Sequence, residues 1–373
     1  MTSSLNAKKG GDNARIDAWL LTATLLLAGF GLVMVLSASG IMAERDFGDK
    51  YFFFKRQLMF TGVGLAAMLA CMQIPRKVLY SLTYVWVGLA VTMLALCLTP
   101  LGASVKGASR WISVGPFSIQ PLEYAKVALV FYLAYFFARK QDLVRTFSVG
   151  FLPPFMVTGI LSGLLLLQPD FGGAVVLCGL LFFMCLAGGT RFSYLFISLI
   201  FAAGAGWMLI SSSPYRFKRW TAFMDPFASA QTEGYQLVQS LYAFGSGKIF
   251  GTGIGAGQRK LFFLPEAHND FIMAVVGEEL GFVGMSLFFL TIGFFLYRAF
   301  RIAMKLTDLQ DRFTAFGTTC ILALGMVLNL AVVLGTVPPK GVAMPFISYG
   351  GSSLTVSFIC AGILLNLSRR VEA

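Results

Sequence analysis

Asp270 stands where a long polar stretch runs into an apolar one, two residues after the chain's single histidine, His268. A carboxylate at such a boundary is partly stripped of water. That makes it a better proton acceptor and a candidate general base for a hydroxyl group. The plainer alternative is that Asp270 caps the helix that follows, and the two roles are compatible. One histidine beside one aspartate is no triad, and no G-x-S-x-G motif accompanies them. His268 reads either as a loop residue in a hydrogen-bond network or as a group that touches a substrate.

A base needs partners for the charge that develops on a leaving group, and cations stand at several outer turns. Tyr215-Arg216-Phe217-Lys218-Arg219-Trp220 is basic and aromatic, Ser109-Arg110-Trp111 pairs a cation with an interfacial aromatic, and Lys340 sits in Val337-Pro338-Pro339-Lys340-Gly341. Arg110, Arg216, Arg219 and Lys340 are therefore candidates for an anionic group. Gly245-Ser246-Gly247-Lys248 and Gly251-Thr252-Gly253-Ile254-Gly255-Ala256-Gly257 suggest a phosphate cradle flanked by Lys248, Arg259 and Lys260. They match neither dinucleotide-binding nor P-loop spacing. A flexible loop hugging the membrane interface is the better reading.

Other polar groups lie in apolar surroundings. Glu123 and Lys126 share a helix face behind Pro121, as a local ion pair or as groups lining a pathway. In Gln168-Pro169-Asp170-Phe171-Gly172-Gly173, Asp170 caps the next helix or joins a site. Glu278 and Glu279, flanked by Gly277 and Gly281, belong in a protein interior rather than in lipid. The Pro345-to-Ser353 run, which includes Ser348, is irregular backbone tolerated at membrane depth only where it lines a cavity.

The elements that must position these groups are transmembrane helices. Of 373 residues, 57% are hydrophobic and 12% charged, with mean hydropathy +0.77, against about 25% charged in soluble domains. Apolar runs place about ten spans near 17–39, 57–73, 79–99, 121–138, 148–167, 173–188, 192–211, 271–297, 313–335 and 351–367. The expected fold is thus all-α and polytopic, with one long extracytoplasmic loop, 212–270, between spans seven and eight. A cytoplasmic tail over 1–15, one membrane domain over 16–368 and a cytoplasmic tail over 369–373 complete it. Disorder is expected only in about the first dozen residues. Lys and Arg in the short loops number fifteen on one side and seven on the other, which puts both termini in the cytoplasm. The first helix is read as an uncleaved anchor.

The net charge of +12 is scattered among spans, which excludes a nucleic-acid-binding reading and favours membrane lipids and phosphate-bearing substrates. The six cysteines lie in apolar runs without a C-x-x-C pair, so they read as small hydrophobic residues.

Five motifs, in order, resemble those of the SEDS family of membrane proteins. They are Gln168-Pro169-Asp170-Phe171-Gly172, Gly234-Tyr235-Gln236, Leu264-Pro265-Glu266-Ala267-His268-x-Asp270-Phe271, Gly277-Glu278-Glu279-Leu280-Gly281 and Ile347-Ser348-Tyr349-Gly350-Gly351-Ser352-Ser353. Pro265 to His268 and Pro338 to Gly341 are nearer the forms of the family's division branch, with Asn269 where Thr is usual. The resemblance implies a ten-span peptidoglycan glycosyltransferase of the cytoplasmic membrane, placed at the septum. It would polymerise lipid II into β-1,4 glycan strands on the outer face, with Asp270 matching the family's essential aspartate. Substrate contacts are expected at Arg110, Glu123, Lys126, Arg216, Arg219, Gln236, Glu266, His268, Lys340 and Ser348. The implied partners are lipid II, the nascent strand, a class B penicillin-binding protein and division regulatory proteins. A divalent cation, magnesium or manganese, is an alternative source of positive charge, with no legible ligand set. A lipid II flippase and a non-catalytic division scaffold are the competing functions, and polar groups gathered on the outer side favour the enzyme.

Overall fold

The computed structural model describes residues 16–105, 108–115, 117–258 and 268–371. Residues 1–15, including the expected disordered segment, lie outside them, as do Lys106, Arg259, Lys260 and Glu266. Helices α1 (Ala18–Phe47), α2 (Phe52–Gln73), the short α3 (Arg76–Ser81) and α4 (Thr83–Leu96) come first. Strands β1 (Gly102–Val105), β2 (Ala108–Val114) and β3 (Phe117–Ile119) then form an antiparallel sheet in sequence order. After it come α5 (Pro121–Arg139), α6 (Leu152–Leu167), α7 (Phe171–Gly188), α8 (Phe192–Ser211), α9 (Pro214–Met224) and α10 (Tyr235–Gly247). The chain ends with α11 (Ile272–Lys305), α12 (Leu309–Val333) and α13 (Gly351–Ser368).

This is an all-α polytopic membrane fold. Among the described residues, eight helices are long and apolar enough to cross a bilayer: α1, α5, α6 with the turn before it, α7, α8, α11, α12 and α13. The proposal of ten crossings adds α2 and the shorter apolar α4. Local chemistry sets several ends. The Asp17 carboxylate accepts from the Leu20 amide 2.9 Å away to start α1, and Gly48 closes that helix in the left-handed region. Pro121 opens α5 in the first turn, where its missing N–H costs nothing. Burial is greatest along α13 and α5, while α8 is almost wholly exposed, with only Leu195 buried.

Two features differ from the sequence reading. The small sheet before α5 was not expected. Its clue is Arg110-Trp111-Ile112-Ser113-Val114, aromatic and β-branched, closed by Gly115 at φ +60°, but so short a run between two apolar spans carries little weight alone. The second is α11, expected as one continuous span and broken instead at Gly281, which has φ +62° and ψ −164°. A short first limb, with Ile272 to Glu279 all buried, precedes the long second limb.

The glycine-rich segment, preferred from sequence as a flexible interfacial loop over a phosphate cradle, fills that break. The amides of Thr252 and Gly253 donate to the carbonyls of Glu278 and Glu279, both at 3.0 Å, while the amides of Phe282 and Val283 donate to the carbonyls of Lys248 and Ile249 at 2.9 and 3.0 Å. Backbone freed by a helix break inside a membrane needs such partners. A Cβ on Gly251 would lie 2.1 Å from the Glu279 carbonyl oxygen, so only glycine admits this approach.

The fifteen-to-seven charge asymmetry gives the first prediction. Cysteines introduced as Ser229→Cys and Gln258→Cys should react with an impermeant thiol reagent added outside spheroplasts, above the wild-type background. Thr307→Cys should react only after lysis. Labelling of Thr307→Cys from outside would reverse the orientation.

Candidate active site

The site is built where the loop between α12 and α13 meets the start of α11. Asn329, on α12, donates from one amide nitrogen to the Asp270 carbonyl at 2.9 Å and to the Val342 carbonyl at 2.7 Å. One side chain thereby pins the two loops together. Ser348 adds a second tie, donating to the Asn269 carbonyl at 2.7 Å while its oxygen accepts from the Met344 amide at 2.8 Å. The Tyr349 amide donates to the His268 carbonyl at 3.0 Å, and Gln57 donates to the Ser348 carbonyl at 3.2 Å.

His268 is buried among rings, 4.5 Å from Phe53 and 5.6 Å from Tyr349 between centroids. It anchors the loop that presents Asp270. The Asp270 side chain is half-buried, and the N-cap position of α11 falls on Phe271, one residue later. Its carboxylate lies against Gly341, where an added Cβ would sit 2.9 Å from Oδ2. Glycine at 341 keeps the face of the carboxylate clear.

Lys340, the preceding residue, leads to the cations. Its ammonium lies 5.5 Å from the centre of the Phe171 ring, and the Arg216 guanidinium lies 5.9 Å from the same ring. Asp170 caps α7 by accepting from the Gly173 amide at 3.1 Å, and Arg110 approaches the same carboxylate oxygen at 3.8 Å. Arg110 also donates to the Pro169 carbonyl at 2.8 Å, and its buried Nε has no acceptor among the described residues. Burial pushes the Lys340 ammonium below the ordinary lysine range, and the Asp170 charge partly opposes that shift. Lys340, Arg216, Arg110 and Asp170 thus surround Phe171 beside the Asp270 loop. Arrays of this kind suit a phosphate or pyrophosphate.

The remaining sequence candidates are placed as follows. Arg219 stacks on Tyr215 of its own helix at 4.8 Å, apart from the Phe171 cluster. Glu123 and Lys126 pair with each other at 2.8 Å, both largely enclosed. Gln236 is half-buried in the first turn of α10, a helix tied to α12 by a 2.7 Å bond from Ser240 to the Val333 carbonyl. Glu266 lies outside the described residues. Glu278 and Glu279 are each 1% exposed and belong to the α11 break, where Ser37 donates to Glu279 and the Gln258 amide to Glu278.

Sequence reasoning missed Asn329, Gln57 and the Phe171 platform. The first two carried a signal, since an amide inside an apolar span is costly unless it has partners. Among the described residues, no three His, Cys, Asp or Glu side chains converge as metal ligands. No step below uses a divalent cation.

Comparison with known proteins gives a consistent set. The family model FTSW_RODA_SPOVE, described as a cell cycle protein, matches residues 18–373. A protein of Trichlorobacter lovleyi named probable peptidoglycan glycosyltransferase FtsW is 45% identical over 363 residues, covering 95% of this chain and 93% of that one. Among solved structures, a chain of a peptidoglycan synthase complex coordinating polymerization and crosslinking matches with TM-score 0.79 and 30% identity, over 95% of this chain and 98% of that one. The rod shape determining protein RodA of Thermus thermophilus matches with TM-score 0.70 and 28% identity, over 96% and 98%.

Proposed function

Since the chain belongs to the FtsW, RodA and SpoVE family of cell cycle proteins, we propose that Asp270 is the general base of its glycan polymerisation. The chain is a peptidoglycan glycosyltransferase acting in cell-wall synthesis, as its relatives' names and the synthase-complex neighbour support. The reading of the site rests on one observation above all. A single loop carries Lys340 into the cation cluster and, at its next residue, Gly341, touches the Asp270 carboxylate.

The acceptor is the 4-hydroxyl of the terminal N-acetylglucosamine of lipid II. The donor is the growing strand on its polyprenyl pyrophosphate. Asp270 takes the hydroxyl proton as the oxygen bonds to the donor's anomeric carbon. The bond from that carbon to the pyrophosphate breaks, and the anion departs toward Lys340, Arg216 and Arg110. An α-linked donor giving a β-1,4 product is inverted, so one displacement is enough and no covalent enzyme intermediate is required. His268 and Ser348 hold the base loop in place. Glu123, Lys126, Gln236 and Glu266 are assigned to substrate contacts outside the reacting centre, and Arg219 to the outer rim of the pyrophosphate path.

The working assembly includes a class B penicillin-binding protein that crosslinks the product, with division regulatory proteins around it. It acts at the outer face of the cytoplasmic membrane at the septum, both termini inside. The test is purified protein with labelled lipid II, with and without the cognate penicillin-binding protein, scored for polymer and, in proteoliposomes, for flipping. Polymer formation is the expected result. Flipping without polymer would replace this reading with the transporter.

A further inference from the structure

A cavity of about 450 Å³ opens at the end of the bundle away from Asp270. Its walls come from α3, the start of α4, the end of α5 and the start of α12. α5 runs 19 residues from the candidate site and α12 runs 25 residues toward it, so the two sites lie roughly 28 to 37 Å apart at 1.5 Å per residue.

The charge in this cavity is unbalanced. Arg76 is committed to Asp311 and Asp308, and Tyr80 donates to the other Asp311 oxygen at 2.7 Å. Lys77 and Arg139 also line the cavity and make no ion pair among the described residues. Arg139 lies over Tyr135 at 5.5 Å, which fixes its guanidinium beside the opening. Gln310 adds a buried amide nitrogen with no acceptor among the described residues. Two cations without an ion pair, a net surplus of one positive charge over Asp308 and Asp311, and an enclosed donor without an acceptor ask for an anion that brings oxygens.

The rim says which anion. Tyr84, which lines the opening, is 66% exposed, and its chain neighbours Val78, Leu82 and Val85 on α3 and the start of α4 are exposed as well. A tyrosine-edged, apolar rim at the ends of membrane helices suits the interface between headgroups and acyl chains. We infer that this cavity is a binding site for the phosphodiester headgroup of an anionic phospholipid, in the leaflet opposite the candidate active site. The phosphate accepts from Gln310 and pairs with Lys77 and Arg139, while the acyl chains run along the apolar rim. Basic pockets between transmembrane helices recognise such headgroups. The inference does not depend on the assignment of Asp270.

The experiment titrates the purified full-length chain in detergent with phosphatidylglycerol, with phosphatidylcholine of the same chains, and with inorganic phosphate, counting bound lipid by native mass spectrometry. Lys77→Ala/Arg139→Ala should weaken the first phosphatidylglycerol roughly 30-fold, at about one kcal/mol per cation, with an unchanged melting temperature. Lys77→Gln/Arg139→Gln repeats the test with longer side chains. Arg301→Ala/Lys305→Ala, which removes two cations near the same membrane face but outside the cavity, should change that affinity less than threefold. Equal weakening by the control pair would reduce the effect to general surface charge and overturn the inference. So would equal binding of phosphatidylcholine. Displacement of the lipid by millimolar inorganic phosphate would reassign the cavity to free phosphate and end the lipid reading.

Discussion

Lys340→Ala should lower the polymerisation rate roughly ten- to a hundredfold, the cost of one charge-assisted contact of about 1.5–3 kcal/mol. Arg216→Ala should fall in the same range. Both residues approach Phe171, Lys340 from the loop before α13 and Arg216 from α9, so each reaches the same leaving anion from its own element. Their removal should spare expression and partner binding, because neither makes an ion pair that holds the fold among the described residues. A pH profile separates lost charge from lost packing. Burial lowers the Lys340 pKa, so its ammonium is lost at lower pH than an ordinary lysine's, and activity should decline early on the alkaline side. Lys340→Arg keeps its charge throughout that range and should move the decline to higher pH. Wild-type rates in both alanine variants would remove these cations from the reaction.

The sequence made the membrane helices legible because an apolar run of about twenty residues is hard to read as anything else. Asp270 was legible for a related reason. It is the carboxylate at a sharp change from polar to apolar sequence, and that boundary is local information. The arrangement around it was not local. Lys340 comes from a loop, Arg110 from β2 and Arg216 from α9, far apart in the chain, and only packing shows that they meet beside Phe171 and Asp170. Arg219 shows the limit from the other side. It shares a helix and a chemistry with Arg216, yet it stacks on Tyr215 while Arg216 reaches toward Phe171. The packing of α9 decides this, and no motif encodes that packing.

The glycine-rich segment teaches the same lesson about backbone. Its composition signals close approach without saying what is approached. The answer is the break at Gly281, where Gly251 meets the carbonyl of Glu279. Phosphate and helix backbone make similar demands on glycine, so a cradle for one resembles a plug for the other. Asn329 is the clearest lost opportunity, since an amide in the middle of an apolar helix needs partners. Its partners proved to be the two loops that form the site.

The central claim is that Asp270 accepts the proton of the attacking sugar hydroxyl, and Asp270→Asn tests it most directly. The amide is nearly the size of the carboxylate but cannot take the proton. The ties that position the loop run through the Asp270 and Asn269 carbonyls and through His268, all unchanged by the substitution. Fold, melting temperature and partner binding should therefore survive. Loss of a general base costs about 10²–10⁴ in rate, at or above the largest cost expected of a single cation. The measurement is glycan polymer formed from lipid II by the purified variant with its penicillin-binding protein, beside wild type and with lipid II binding recorded in parallel. The account predicts bound lipid II with polymer reduced at least a hundredfold. Polymer at the wild-type rate would contradict it and show that Asp270 only shapes the loop.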